Sequence, residues 1–138
     1  MKKNFLIFLI PLYIIPYASL SQQTKIDSLL SLVKKDKEDT NKVNHLNNLS
    51  REYIDIGSYD SAVHYANQAL AYCEKLLLQS VQLTQSSFLK GKANAYSSIG
   101  IVYYRQGDYP KALDYYFKAL KLREELGDKR GIATILGN

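Results

Sequence analysis

Two stretches of this chain lie over each other with a shift of 50 residues. The first runs Leu46-Asn-Asn-Leu49-Ser50-Arg-Glu-Tyr53-Ile-Asp-Ile-Gly57-Ser-Tyr59-Asp-Ser-Ala62 and continues to Ala69-Leu70. The second runs Tyr96-Ser-Ser-Ile99-Gly100-Ile-Val-Tyr103-Tyr-Arg-Gln-Gly107-Asp-Tyr109-Pro-Lys-Ala112 and continues to Ala119-Leu120. A large apolar residue, a small one, a tyrosine, a glycine, a second tyrosine, an alanine and an Ala-Leu pair recur at the same offsets. Self-similarity at such a period marks a repeat architecture.

Each copy reads as a pair of antiparallel helices. Leu46, Leu49 and Tyr53 fall at i, i+3 and i+7, one face of a helix. Gly57 and Gly107 stand where that helix must stop and the chain reverse. Pro110 falls in the first turn of the following helix, where a missing N–H costs little. Ala62 and Ala69, with their counterparts Ala112 and Ala119, put small side chains on the inward stripe of the second helix. Ser50 and Gly100 do the same for the first, so the helices can approach closely while Tyr53 and Tyr103 fill the wider gaps alongside.

These residues resemble the tetratricopeptide repeat family. Its pattern is met by Tyr96, Ile99-Gly100, Tyr103, Gly107, Ala112, Tyr116 and Ala119 in one unit. In the other it is met by Leu46, Leu49-Ser50, Tyr53, Gly57, Ala62 and Ala69, with Ala66 where an aromatic residue is usual. Glu74 and Glu124 stand where the family often has proline, which predicts second helices that run past the usual stop. The resemblance implies an all-α fold of antiparallel helix hairpins stacked as an α-α superhelix. Units are expected at about 43–92 and 93–132, with a truncated third at 133–138, where Ala133 and Leu136 correspond to Ala93 and Tyr96 at a shift of 40. Such arrays normally end in a capping helix, so this one is expected to be part of a longer array.

In detail, Thr24-Lys-Ile-Asp27 reads as a capping box opening an N-terminal helix within 22–39 that reaches about Lys35. Asp39 or Thr40 is expected to cap the first repeat helix, which runs to about Ile56. Its partner spans about Tyr59–Leu78, the polar stretch Gln79–Gln85 turns the chain, and two more helices reach Gln106 and Leu126.

The N-terminus has a different character. Lys2-Lys3-Asn4 is followed by sixteen mostly apolar residues, Phe5 to Leu20, and then Ser21. Basic, apolar and small residues in that order predict a secretory signal peptide over 1–21, cleaved after Ser21. As a helix the run would span only ~24 Å, short of a ~30 Å hydrocarbon core, and Pro11 and Pro16 interrupt it. Export to the periplasm, or to the extracytoplasmic side of a membrane protein, is the expected destination, with no membrane contact after cleavage unless a transmembrane helix follows downstream.

Composition excludes several function classes. The formal charge is +5, from 18 Lys and Arg against 13 Asp and Glu. Lys2 and Lys3 belong to the leader, and the rest are interspersed with acidic residues, so no clustered basic face for nucleic acid is expected. Cys73 is the single cysteine, and its place in an Ala/Leu-rich helix predicts burial. His45 and His64 lie on different helices without ligand spacing, and both are expected at the surface. No phosphate-cradling loop or nucleophile-base arrangement accompanies Asp60, Ser61 and His64, so no catalytic residue, metal or cofactor is expected. Any catalysis would lie beyond residue 138.

The resemblance also implies a site. In the family, the first helices of successive units line a concave groove that holds a peptide or partner segment. Carried over position by position, that groove falls on Asn44, Asn47, Arg51, Ile54 and Asp55, and on Asn94, Ser97, Ile101, Tyr104 and Arg105. Asn47 and Arg51 stand where some members have the Lys and Asn that grip a C-terminal carboxylate, so that mode is not expected. The implied function is protein or peptide binding. The long units resemble exported arrays that form the input end of bacterial histidine kinases or transcriptional regulators. The alternative is a free-standing periplasmic scaffold of an envelope complex.

Overall fold

In a computed structural model, residues 17–79 and 82–137 are described, and they form six helices in sequence. These are α1 (Tyr17–Lys35), α2 (Thr40–Asp55), α3 (Tyr59–Gln79), α4 (Gln82–Arg105), α5 (Tyr109–Glu125) and α6 (Lys129–Leu136). No strand occurs among the described residues. Helices α2 and α3 form one hairpin and α4 and α5 the next, α1 packs against α2, and α6 begins a third layer against α5. The chain is thus the all-α stack of hairpins that the repeat predicts. The leader expected over 1–21 lies mostly outside the described residues, and its proposed cleavage point at Ser21 falls within α1.

The reversals follow from local backbone chemistry. Gly57, Gly107 and Gly127 all take positive φ, at 76°, 81° and 64°. In each case the glycine N–H and the next residue's N–H bond back into the last helical turn, as Gly107 N to Tyr104 O and Asp108 N to Tyr103 O at 3.0 and 2.9 Å. Only glycine takes this left-handed conformation without a Cβ penalty. An acceptor then restarts the helix: Asp108 Oδ1 accepts from Lys111 N and Asp128 Oδ1 from Gly131 N. Asp39, in extended conformation, caps α2 through Asn41 and Lys42.

Two expected boundaries move. Thr24 does not open a helix, because α1 already includes Tyr17; its hydroxyl donates to Ser21 O one turn back, and Asp27 accepts from Gln23. A capping box works only if its first residue leaves the helical region, and nothing here forces Thr24 to do so. The polar stretch Gln79–Gln85 is also mostly helical, since α3 runs through Gln79 and α4 starts at Gln82. Polarity alone is no stop signal where Gly and Pro are absent.

Small residues set the helix spacing. Leu46, Ala66, Ala69, Ala95 and Ile99 form one buried cluster between α2, α3 and α4. Tyrosines fill the flanks in a repeated arrangement: Tyr53 stacks on Tyr65 with centroids 5.3 Å apart, and Tyr103 stacks on Tyr115 at 5.7 Å, again a shift of 50. The units differ at one matched pair. In the first, Ser50 and Ala66 are both fully buried. In the second, Gly100 faces Tyr116, and a Cβ on Gly100 would lie 2.7 Å from the Tyr116 ring. The aromatic missing at Ala66 is therefore matched by a residue that keeps its Cβ at Ser50, and the Tyr116 ring by one that has none.

That balance makes a prediction. Gly100→Ala should destabilise the protein by about 1–3 kcal/mol through overpacking. In the Tyr116→Ala background the same change should cost well under 1 kcal/mol. Denaturant unfolding of the four variants of this cycle measures the coupling.

Candidate partner-binding groove

The polar faces of α2 and α4 converge on a cleft of about 480 Å³. Arg51, Ile54 and Asp55 come from α2, and Asn94, Ser97, Ile101 and Arg105 from α4. One helical face supplies each set, because Arg51 and Asp55 are four residues apart, as are Ser97, Ile101 and Arg105. On the far side of Arg51 and Asp55 a second cleft of about 400 Å³ opens toward α1, with Lys25, Ser28 and Asn48 on its walls. Lys25 of α1 pairs there with the buried carboxylate of Glu52.

Seven of the ten carried-over residues (Arg51, Ile54, Asp55, Asn94, Ser97, Ile101 and Arg105) line the first cleft. Asn44 is exposed on α2 two turns before Arg51 and is not among its lining residues. Asn47 is corrected: it is 5% exposed, and its Nδ2 donates to Gly91 O at 3.0 Å, tying α2 to α4. Gly91 leaves no room for a side chain there, since a Cβ would lie 2.6 Å from Val43 Cγ1. Tyr104 is also corrected. It packs edge-on against Tyr109 at 5.6 Å and lines an apolar cleft on α5 instead of the groove.

Polar contacts divide the groove into fixed and free groups. Arg105 Nη1 donates to Ile54 O at 3.0 Å, closing the end of α2. Ser97 Oγ donates back to Ala93 O within its own helix. Arg51 and Asp55 make no hydrogen bond or ion pair among the described residues, so their charges are available to a ligand. Ile54, buried, and Ile101, half-buried, provide apolar floor.

Arg123 was not legible as a groove residue, because it belongs to a second helix. It is 8% exposed, donating from Nη1 to Asp128 Oδ2 at 2.8 Å and from Nη2 to Asn94 Oδ1 at 2.9 Å. It occupies the place that Cys73 holds one unit earlier, and the following helix meets each with a glycine. A Cβ on Gly91 would lie 3.2 Å from Cys73 Sγ, and one on Gly131 would lie 1.9 Å from Arg123 Nη1. The available signal was a charged residue four positions after Ala119, on an otherwise small and apolar stripe. Thr134 of α6 completes this end of the cleft.

Elsewhere, burial pushes the Cys73 thiol up to about 12, so it stays protonated as a core residue. His45 is half-buried instead of exposed, its Nδ1 2.6 Å from Asp36 Oδ2 where α1 meets α2. His64 is exposed and its Nε2 lies 2.8 Å from Gln68 Nε2. No group of three or more His, Cys, Asp or Glu able to hold a metal ion occurs among the described residues.

Stacked helical hairpins with a groove along their first helices define a helical-repeat binding scaffold. Residues 43–79 and 93–126 each match a tetratricopeptide repeat model, together just over half of the chain. The chain belongs to the tetratricopeptide repeat family. No curated protein and no solved structure gives a significant match.

The cap at the groove's end has a pH signature. The Gly131 N–H, and then the Arg123 guanidinium, hold the Asp128 carboxyl below its ordinary range. Lys111 does the same for Asp108. Both carboxylates bind protons less readily folded than unfolded, so their stabilisation is complete above about pH 4 and lost as pH falls through the depressed values. Amide exchange between pH 5 and pH 3 should show α6 opening before α2, and Gly131→Ala should open α6 already at pH 7.

Proposed function

We propose that this chain is the protein-binding part of an exported protein, acting on the extracytoplasmic side of a membrane as the input segment of a signalling protein. The reading of the groove is carried by one observation: Arg51 and Asp55 stand unpartnered on α2, facing Ile101 and Arg105 across the cleft. Opposite charges beside an apolar floor suit a peptide or helix that offers an acidic and a basic group flanking an aliphatic residue. The backbone that carries these side chains is already fixed in two packed helices, so binding has no chain segment of the groove to order, which favours recognition of an extended segment.

Export rests on the basic, apolar and small-residue order of residues 2–21. None of the described helices is long and apolar enough to cross a membrane. The role as signalling input rests on the likeness of the long repeat units to exported arrays of that kind.

Two measurements test this. Expressed in a bacterium, the chain should be recovered from the envelope or periplasmic fraction with Gln22 as its N-terminus; an intact Met1 in the cytosol would overturn the export reading. A partner held by the wild-type groove should bind at least about tenfold more weakly to Arg51→Ala/Asp55→Ala, a loss of about 1.4 kcal/mol or more. Tyr104→Ala, outside the groove, should leave that affinity unchanged. Equal affinity for all three proteins would sink the groove as the site.

A further inference from the structure

Three arginines, Arg51, Arg105 and Arg123, line the cleft between α2 and α4, against a single carboxylate, Asp55. Arg123 differs from the other two. It is 8% exposed, and its Nε is buried without a hydrogen-bond partner among the described residues. Its two Nη atoms are fixed, one on Asp128 Oδ2 and the other on Asn94 Oδ1. The guanidinium is thus held in one orientation in the wall of the cleft, with donor capacity left over. Burying a cation costs free energy that an incomplete set of partners offsets only in part.

Packing between hairpins does not require an arginine at this place. One unit earlier, at a shift of 50, it is held by Cys73, fully buried in an apolar cluster with Val43, Leu76 and Phe88. The second unit puts a cation there instead, and Gly131, without a Cβ, leaves room for the guanidinium. Asn94, itself a groove residue, steadies it, whereas the counterpart Asn44 is exposed on α2. Toward α1 the charges are arranged differently: Lys25 is already paired with Glu52, and Asp55 stands free. The surplus of positive charge therefore lies at the end of the groove where α4, α5 and α6 meet.

We propose that this end of the groove is a subsite for an acidic side chain of a bound polypeptide, with Arg123 and Arg105 as the residues that select it. Resting on the groove reading above, the subsite adds an orientation to it. The acidic residue of the held segment lies over Arg123 and Arg105, and its basic residue lies toward Asp55 and α1. Carboxylate and guanidinium match in charge and in planar geometry. A guanidinium already fixed by Asn94 and Asp128 loses little freedom in binding a carboxylate. A polypeptide is favoured over a free anion because the cleft does not end at the arginines. Arg51 and Asp55 also wall the second cleft, so about 480 Å³ and about 400 Å³ of groove adjoin, far more than one carboxylate fills.

The test is an NMR titration of the full chain with hexaglutamate, read at the arginine side-chain Nε–H resonances. Those of Arg123 and Arg105 should shift saturably, while that of Arg130, exposed on α6, should not. Arg123→Met should weaken hexaglutamate binding at least about tenfold. Where that variant loosens α6, Arg105→Gln, a change at an exposed side chain, should still weaken it at least about threefold. A silent Arg123 resonance overturns the proposal, and so do equal shifts at Arg130, which mean unspecific attraction. Inorganic phosphate producing the same shifts at the same concentration also overturns it, because the site then takes a free anion. Shifts at Arg51 without Arg123 remove this subsite and leave the groove standing. The groove reading itself falls only on the partner affinities of Arg51→Ala/Asp55→Ala, so the two failures are separable.

Discussion

Everything in this fold depends on how closely two helices can lie together. Ala62, Ala69, Ala112 and Ala119 are almost fully buried, and none of them fills the space between axes. Helix separation follows the side chains at the contact, so small residues draw the axes together. Large side chains then have room only at the flanks, where the Tyr53–Tyr65 and Tyr103–Tyr115 stacks lie. A change of volume at one such contact must be answered at its partner. Gly100 opposite Tyr116, where the earlier unit has Ser50 and Ala66, is that answer in a single pair. The glycine leaves space for a ring and the serine does not, so the two units keep one geometry with different fillings.

Close spacing also decides which polar residues remain available. Asn47 and Arg51 are one turn apart on α2, yet Asn47 is sealed against Gly91 while Arg51 faces solvent. The four-residue step carries the stripe out of the α2–α4 contact and into the groove. Asn47 Oδ1 and Ser50 Oγ are buried without a hydrogen-bond partner among the described residues, so the seam carries a few polar atoms within its apolar packing. The groove is the margin of that seam: its floor is apolar because Ile54 and Ile101 belong partly to the packing, and its rim is charged because Arg51 and Asp55 do not.

The parts of this structure legible in the sequence were those set by local chemistry. Glycines at 57 and 107 fixed the turns because the left-handed backbone they adopt is closed to other residues. Asp39 capped α2 for an equally local reason. The two largest changes to the groove involve partners distant in the chain. Asn47 was lost to the groove through a carbonyl 44 residues away, and Arg123 joined it through Asn94, 29 residues away. Thr24 failed differently, because a capping side chain marks a helix start only when the preceding backbone leaves the helix, and that information lies outside the motif itself.

The last hairpin shows how a repeat protein separates stability from recognition. In the first unit the apolar face of α3 is covered by α4, and the polar face of α2 is left open. The same division recurs one unit on, with α5 turning its apolar residues toward the end of the stack and α4 its polar ones toward the groove. Burial of apolar area is non-directional and roughly proportional to the area removed from water, so the α3–α4 contact depends on apolar pattern and area. The groove differs in carrying a few charges at set positions, Arg51 and Asp55 among them, and hydrophobicity alone does not complement those. Two surfaces of one hairpin therefore differ in physics: the face packed between hairpins is set by apolar area, and the groove by where its charges stand.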